Sequence, residues 1–347
     1  MRILFLQKTD KFSGAENVVL SIMSLLPKSE YETIYASLDG PIREDVKRRG
    51  LRFYALKHTN VKAIKKAIKE LKPDIIHATD FGMSVLSVLA TKKIPVISHI
   101  HNNALWIKNP FYPKNIAYAF ALSRIKHTIV VSDSIEREFF YRFMFKKKVT
   151  VLNNFVDAKR VKRLSEVKVT KKKYQLIFVG RLSEEKSPLL FCKIVNKIRV
   201  QNNSVKTCLV GEGKLKSQVE TYIKKHRLED SIDIMGFQEN PFPYILNSKI
   251  LVMPSKYEGF GLTAVESMIL GKPVVCSGVG GLSDIVDENC GKICMGVEDY
   301  IQEITKLLKN KEYYNKKSQL SIEKSTYFTN ENKYIDELEK IYNDIKR

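Results

Sequence analysis

The chain reads as an α/β protein built from two doubly wound, Rossmann-like domains. Short apolar runs rich in β-branched residues alternate with helical patterns throughout, which is the mark of βαβ units and parallel sheets. That series of runs restarts midway along the chain. Size agrees, since 347 residues suit two domains, each with its own core. In such folds, ligands are expected at the carboxyl ends of the strands, here in a cleft between two facing domains.

In the first half the predicted strands are Ile3–Gln7, Thr33–Leu38, Asp74–Ala78, Pro95–His99 and Thr128–Val131. Helical patterns lie between them, for example over Glu16–Leu26 and Val61–Leu71. The second series is Gln175–Val179, Lys206–Val210, Ser231–Met235, Ile250–Pro254 and Pro273–Ser277. Between the two series runs AKRVKRLSEVKVTKKK (158–173), polar and basic without an apolar face, which reads as a linker. The predicted organisation is therefore an N-terminal domain (1–160), a linker (161–173) and a C-terminal domain (174–329). In the final segment (330–347), Tyr334, Ile335, Leu338, Ile341 and Tyr342 recur at helical spacing. This predicts a helix closing back on one or both domains, the N-terminal one among them.

Composition narrows the class. Hydrophobic residues make up 44% and charged residues 28%, which excludes a disordered chain. No apolar stretch approaches the roughly 20 residues needed to span a bilayer. The opening MRILFLQKTD turns polar after a short run and reads as a first strand, not a secretory leader. Cys192, Cys208, Cys276, Cys290 and Cys294 are odd in number and lack a framework spacing, so reduced thiols in a cytoplasmic protein are expected. Structural zinc wants four ligands, and Cys290 and Cys294 have no neighbouring His or Cys pair to complete them. Charge is uneven: residues 1–168 carry 31 Lys and Arg against 15 Asp and Glu, and the remainder 28 against 23. An excess of that kind favours an anionic partner, although lysines on solvated helix faces would give the same count.

Two segments carry the chemistry. In PSKYEGFGLTAVESMILGKPVV, Glu258 and Glu266 stand eight apart around a glycine turn that opens into an apolar helix. Such a junction offers free N–H groups to an anion, and carboxylates accept hydrogen bonds from hydroxyls. A nucleotide-activated sugar carries both phosphate and diols. In LIFVGRLSEEKSP, a strand ends at Gly180, Arg181 follows, and Lys186 precedes a Ser187-Pro188 helix start. A guanidinium, an ammonium and a helix N-terminus together favour a diphosphate whose charge grows as its bond to sugar breaks. The alternative is a surface where Glu184 and Glu185 pair with Arg181 and Lys186.

Gly180-Arg181-Leu182 with Glu185-Lys186, then Gly211-Glu212-Gly213, Glu258 with Glu266, and Gly280-Gly281 appear in that order. The ordered set resembles the retaining glycosyltransferases of family 4, of polysaccharide-biosynthesis type, on the two-domain GT-B fold. SGAE (13–16) and VLNNFVD (151–157) resemble further family elements, so the likeness covers almost the whole length. It implies that Arg181 and Lys186 neutralise the donor diphosphate and that Glu266 accepts hydrogen bonds from the ribose hydroxyls. Glu258 would hold a hydroxyl of the transferred sugar, and backbone N–H groups of Phe260, Gly261 and Leu262 would touch sugar and distal phosphate. Gly14 would cover the phosphates from the other domain. Gly180, Gly211, Gly236 and Phe237 would lie near the nucleotide and its base.

His99 and His101 close a predicted strand in PVISHIHNNALW. The resemblance places a family-associated histidine here, facing acceptor and donor sugar, and His101 is the better match, with His99 a packed neighbour. A metal on the pair has no third ligand of suitable spacing. No Asp-x-Asp occurs, so the usual metal clamp for nucleotide-sugar diphosphates is missing, and no cofactor or metal is expected. A covalent intermediate needs a carboxylate nucleophile, and none is identifiable; the resemblance implies front-face substitution instead.

The implied activity is retaining transfer of a hexosyl-type sugar, from a UDP- or GDP-sugar to a lipid-linked or oligosaccharide acceptor. Basic and aromatic segments of the first half, KAIKKAIKELK (62–72), WIKNPFYPKNIAYAFALSRIK (106–126) and FFYRFMFKKK (139–148), suit an anionic membrane surface. The expected location is cytoplasmic, peripheral at the inner face of the cell membrane. The other reading is that Phe139, Phe140 and Phe143 bury against their own sheet. Nucleic-acid binding would suit the sequence pI near 9.6 but leaves Glu258, Glu266 and the GRL…EK loop unexplained. A nucleotide-sugar epimerase on the same fold needs no basic acceptor face, and a sugar phosphorylase needs a lysine-bound pyridoxal cofactor and a much longer chain.

Overall fold

Parallel strands, each followed by a crossover, account for both sheets of the computed structural model, which describes residues 1–103, 105–145, 148–169, 172–201 and 203–346. The chain divides into two units, Met1–Phe155 with Asn330–Arg347, and Val156–Thr329. In the first unit β1 (Arg2–Leu6), β2 (Glu32–Leu38), β3 (Arg52–Leu56), β4 (Ile75–Thr79), β5 (Val96–Ile100), β6 (His127–Val130) and β7 (Val149–Val151) take the order β3-β2-β1-β4-β5-β6-β7. In the second, β8 (Tyr174–Val179), β9 (Thr207–Val210), β10 (Ile232–Gly236), β11 (Ser248–Met253), β12 (Val274–Ser277) and β13 (Gly291–Cys294) take the order β10-β9-β8-β11-β12-β13. Strand order reverses between β1 and β4, and again between β8 and β11. Each reversal leaves a crevice at the carboxyl edge of the sheet.

The central strands are continuous apolar runs because both faces are covered. Ile3 to Leu6, Ile75 and Ile76, and Ile250 to Val252 are all buried. Three strands are missing from the sequence reading, β3, β7 and β13. All three lie at sheet edges, where half-exposed backbone needs only a short or mixed pattern.

The segment read as an apolar-faceless linker begins as a helix, Ala158–Ser165. Asp157 caps it, accepting the Arg160 N–H at 2.8 Å, and Val161 is buried against helices Phe242–Leu246 and Leu262–Ile269. One buried valine per two turns is too thin a stripe to stand out among lysines. Further on, Lys172 pairs with Asp233 at 2.8 Å; Thr170 and Lys171 lie outside the described residues. The last helix, Glu331–Lys346, buries Tyr334, Leu338, Ile341 and Tyr342 and belongs to the first unit. No helix among the described residues is long and apolar enough to cross a membrane.

Candidate functional site

Six loops leave the carboxyl edge of the second sheet, and backbone contacts tie together the five that follow β8 to β12. A Cβ at Gly211 would sit 1.9 Å from the Gly180 carbonyl oxygen, and one at Gly213 would sit 2.4 Å from that of Leu182. Leu182 N–H donates to the Glu212 carbonyl at 2.8 Å, and Gly211 N–H to that of Gly236 at 2.8 Å. The Gly-Glu-Gly element is thus glycine because two loop backbones touch. The Gly-Gly turn works the same way: a Cβ at Gly280 would lie 1.8 Å from the Glu258 carbonyl oxygen, and one at Gly281 2.5 Å from that of Phe260. It props the glutamate loop from behind.

On this frame Lys186 Nζ donates to Glu258 Oε1 at 2.5 Å. Ser255 Oγ donates to the same oxygen at 3.0 Å, and Lys256 N–H to the Glu185 carbonyl at 2.7 Å, so the two loops are joined by side chain and backbone. Glu258 is only 7% exposed, which leaves the pair strongly coupled and little screened. Helix Leu262–Ile269 follows after Gly261 at φ 109, and its first turn has N–H groups with no helical acceptor. An ammonium, a carboxylate and a helix N-terminus therefore converge within one loop pair. Such a set can neutralise a diphosphate and accept a hydroxyl.

The surface alternative for these charges is not what forms. Glu184 pairs with Lys256 at 3.0 Å instead. The Glu185 carboxyl is held below its ordinary range by Ser183 beside it first, with Tyr257 and Arg181 adding to the effect. Arg181 itself is exposed. Ser187 lies at the helix boundary as expected, but at φ 51 with its hydroxyl turned back to the Glu184 carbonyl at 3.2 Å. Its side chain does not cap the helix in the way the sequence implies.

Glu266, half-buried on the Leu262–Ile269 helix, has its carboxyl pushed up to about 7 by burial, against the lowering pull of Arg160. Phe260 is buried edge-on against Phe328, 5.7 Å between ring centres, and anchors the turn. Gly236, at φ 66, ends β10, and Phe237 after it is 72% exposed, an aromatic face open to a planar guest.

Gly14 and His101 belong to the first unit. Gly14 is exposed at the start of helix Gly14–Leu25; before it Ser13 Oγ donates to the buried Glu16 carboxylate, whose pKa burial raises. His101 follows β5 with its ring tilted against His99, 4.0 Å between centres; neither of its enclosed ring nitrogens has a hydrogen-bond partner among the described residues. His99 is fully buried, as expected, but it is not isolated. His77 Nε2 lies 3.0 Å from His99 Nδ1, and His77 Nδ1 lies 2.8 Å from the Tyr342 hydroxyl. Burial lowers His77 and His101 to about 3 and His99 well below its ordinary value, so all three are neutral at physiological pH. At the nearby switch point Asp80 takes φ 100, a strained backbone, while capping helix Phe81–Ala90 through Met83 N–H at 2.7 Å.

Sequence reasoning missed His77, Tyr342, Ser255 and Arg160. A polar residue inside the apolar run of β4 was a signal for His77. Ser255, three residues before Glu258, was a weaker one. Nothing in the sequence joins Tyr342 to residue 77, or brings the Arg160 charge near residue 266, since both arrangements exist only after folding.

Residues 12–160 match the family profile described as Glycosyltransferase Family 4, and residues 159–324 match that of Glycosyl transferases group 1. A relative is the uncharacterized glycosyltransferase MJ1059 of Methanocaldococcus jannaschii, 27% identical over 61% of this chain and 57% of that protein. Another, from Campylobacter jejuni, is the GalNAc-alpha-(1->4)-GalNAc-alpha-(1->3)-diNAcBac-PP-undecaprenol alpha-1,4-N-acetyl-D-galactosaminyltransferase, 25% identical over 88% of each chain. Among solved structures, Anabaena Alr3699/HepE in complex with UDP and glucose superposes with a TM-score of 0.85 at 17% identity, over 99% of both chains. That likeness gives the GT-B fold. Two profile matches that adjoin at residues 159–160 and run together from 12 to 324 place the chain among the glycosyltransferases, with a family 4 domain followed by a group 1 domain.

Proposed function

We propose that the protein transfers a sugar with retention of anomeric configuration, from a UDP-sugar to a hydroxyl of a polyprenyl-diphosphate-linked glycan in cell-surface polysaccharide synthesis. The observation that carries this is the 2.5 Å Lys186–Glu258 pair beside the first turn of the Leu262 helix. Lys186 and Arg181 hold the diphosphate. Glu258 accepts from a hydroxyl of the donor sugar, Glu266 from the ribose, and Phe237 lies by the base. Backbone N–H groups from Phe260 to Leu262 meet the sugar and distal phosphate. His101 and Gly14 serve the reaction from the first unit. The acceptor oxygen bonds to the anomeric carbon as the bond to the diphosphate oxygen breaks. The acceptor proton passes to the departing phosphate oxygen, and UDP leaves. Cationic side chains and N–H dipoles meet the growing charge without need of a divalent cation. The UDP-bound fold neighbour and the undecaprenol-linked substrate named for the Campylobacter relative support the choice of donor and acceptor.

The first unit supplies a membrane face to the same reading. Tyr112, Ile116 and Phe120 are exposed at four-residue spacing along helix Pro113–Leu122 and the residue before it. Phe111 is 83%, Phe120 77% and Phe143 71% exposed, while their neighbours Tyr118 and Phe139 are buried, Tyr118 edge-on to both Phe81 and Phe139. Of Phe139, Phe140 and Phe143, only Phe139 is buried; the other two are exposed. The Tyr141 hydroxyl ties the two segments, donating to the Pro110 carbonyl at 2.9 Å. Exposed Lys114, Arg124 and Arg142 accompany the rings, and Lys146 and Lys147 lie outside the described residues. Aromatic rings among cations fit an anionic bilayer at the cytoplasmic face.

The deciding experiment incubates the protein with a panel of UDP- and GDP-sugars and a polyprenyl-diphosphate oligosaccharide, following UDP release and the anomeric coupling of the product. UDP release dependent on acceptor, an anomer matching the donor, and a rate within twofold after EDTA are expected. An inverted anomer or loss of activity in EDTA would refute the mechanism. Release of UDP without an acceptor would refute the transfer.

A further inference from the structure

Three buried groups line up behind His101 on one face of the first sheet. Tyr342 reaches it from the last helix, His77 sits mid-strand on β4, and His99 stands next door on β5, where Thr79 pairs with His99 in register. All three are fully buried, and Phe5 stacks on His77 at 4.7 Å. The line ends at His99 Nε2, which is enclosed and has no hydrogen-bond partner among the described residues; beyond it lies His101, with both ring nitrogens likewise unpartnered among them. Gln7, one residue past β1 at the carboxyl edge of the same sheet, likewise has a buried Nε2 without a partner among the described residues.

A neutral imidazole has one N–H and one lone pair. Two proton arrangements therefore satisfy both contacts. In one, the Tyr342 hydroxyl donates to His77 Nδ1, His77 Nε2–H donates to His99 Nδ1, and His99 carries its proton on Nε2. In the other, every donor is reversed: the Tyr342 proton loses its acceptor, and His99 Nε2 becomes a bare lone pair. The first leaves one buried group unpaired and the second leaves two, so the first is favoured. Because a tautomer at one end dictates the tautomer at the other, the hydroxyl on the last helix sets what His99 offers.

We propose that Tyr342, His77 and His99 form a tautomer-setting chain that holds an N–H at His99 Nε2 for a substrate oxygen beside His101. His77 and Tyr342 are then positioning residues, and the oxygen belongs to a sugar hydroxyl. A charge-bearing phosphate would call for cations, and this cluster is neutral. The proposal rests on the transferase reading for the identity of that oxygen, but the proton arrangement stands independently of it.

The test begins on the wild-type full chain labelled with ¹⁵N-histidine. Only six histidines need assignment, by single His→Gln variants. Long-range ¹H–¹⁵N spectra should show His77 and His99 both as Nε2–H tautomers, and Tyr342→Phe should shift His99 toward a mixture with melting temperature nearly kept. His99 found as the Nδ1–H tautomer in the wild type would overturn the chain outright, whether or not any transferase activity is found. For the function of the N–H, His99→Gln keeps a donor and should retain transfer within about fivefold, whereas His99→Phe should lower kcat about a hundredfold with donor KM little changed. Equal activity of the two folded variants would overturn the role assigned to the N–H.

Discussion

The first unit buries three uncharged imidazoles and a tyrosine in one cluster, with the Glu16 carboxyl apart from them after β1; at the carboxyl edge of the second sheet an ammonium–carboxylate pair stands with a carboxyl near its titration point. The units share a fold plan and differ in what they desolvate. Neutral groups left unpaired in a dry site suit hydroxyls, which both give and take a hydrogen bond. A pre-set ion pair beside a helix N-terminus suits a dianion, since its charges are already in place when negative charge grows. The surfaces differ too: large exposed rings cluster on the first unit at Phe111, Phe120, Phe140 and Phe143.

The largest effect that would sharpen this contrast is at Lys186. Lys186→Ala removes the ammonium proposed to hold the diphosphate and strands the Glu258 carboxylate, and kcat/KM should fall about 10²–10³-fold in a steady-state assay. Lys256, whose ammonium pairs with Glu184 at the surface only, is the matched control. Lys256→Ala should stay within about twofold. Similar losses in the two variants would break the distinction between poised and ornamental charge.

That distinction was half legible in the sequence. The order of motifs put Lys186 and Glu258 on one edge, because in a parallel sheet every strand's carboxyl end lies there; that their strands β8 and β11 are neighbours came only with the fold. Their direct contact was not legible, since it depends on the backbone packing of Gly280 and Gly281 behind the Glu258 loop. In the first unit His101 could be singled out through resemblance, but its supporting groups could not. Tyr342 is 265 residues from His77, and only the fold brings them to 2.8 Å. The edge strands and the Ala158 helix were missed for a related reason: their stability comes from neighbours rather than from an internal pattern.

Acid should separate the units next. His77, His99 and His101 have folded pKa values below their unfolded value near 6.5, so the unfolded chain binds more protons. Their stabilisation is complete above about pH 6.5 and is lost as pH falls toward 3, at up to about 1.4 kcal/mol per pH unit for each group. Glu266 runs the other way. Its folded pKa is raised from 4.5 to about 7, so its contribution is complete below about pH 4.5 and lost as pH rises through 7. Hydrogen exchange corrected for intrinsic rates should show amides of β4 and β5 losing protection between pH 6.5 and 5 while those of the Leu262 helix gain it. Parallel changes in both units would contradict the contrast.

Donor binding should read the same carboxyl. If the ribose hydroxyls donate to Glu266 as proposed, they favour its ionised form, so binding expels a proton over the range where the free carboxyl holds one. Affinity for UDP should therefore rise with pH between about 5 and 7, by no more than about tenfold per pH unit. Calorimetry in buffers of different ionisation enthalpy would count that proton. In Glu266→Gln the slope should disappear, and a slope that survives belongs to another group.

The smallest effect concerns the rings of the first unit. Shallow insertion of Phe120 and Phe143 should contribute roughly 1 kcal/mol each, about fivefold in partitioning, and each nearby Lys or Arg about as much against anionic lipid. The two contributions respond differently to salt, because screening weakens the charges and leaves ring burial intact. Phe120→Ser with Phe143→Ser should thus reduce sedimentation with phosphatidylglycerol vesicles by the same factor at about 0.05 and 0.5 M salt. Arg124→Gln with Arg142→Gln should reduce it only at the lower salt. UDP affinity should be unmoved in both, since the nucleotide contacts proposed for the first unit lie at Gly14 and not on this face. Binding that ignores both pairs of substitutions would show that exposed rings here are surface and nothing more, and the contrast between the units would then rest on their buried groups alone.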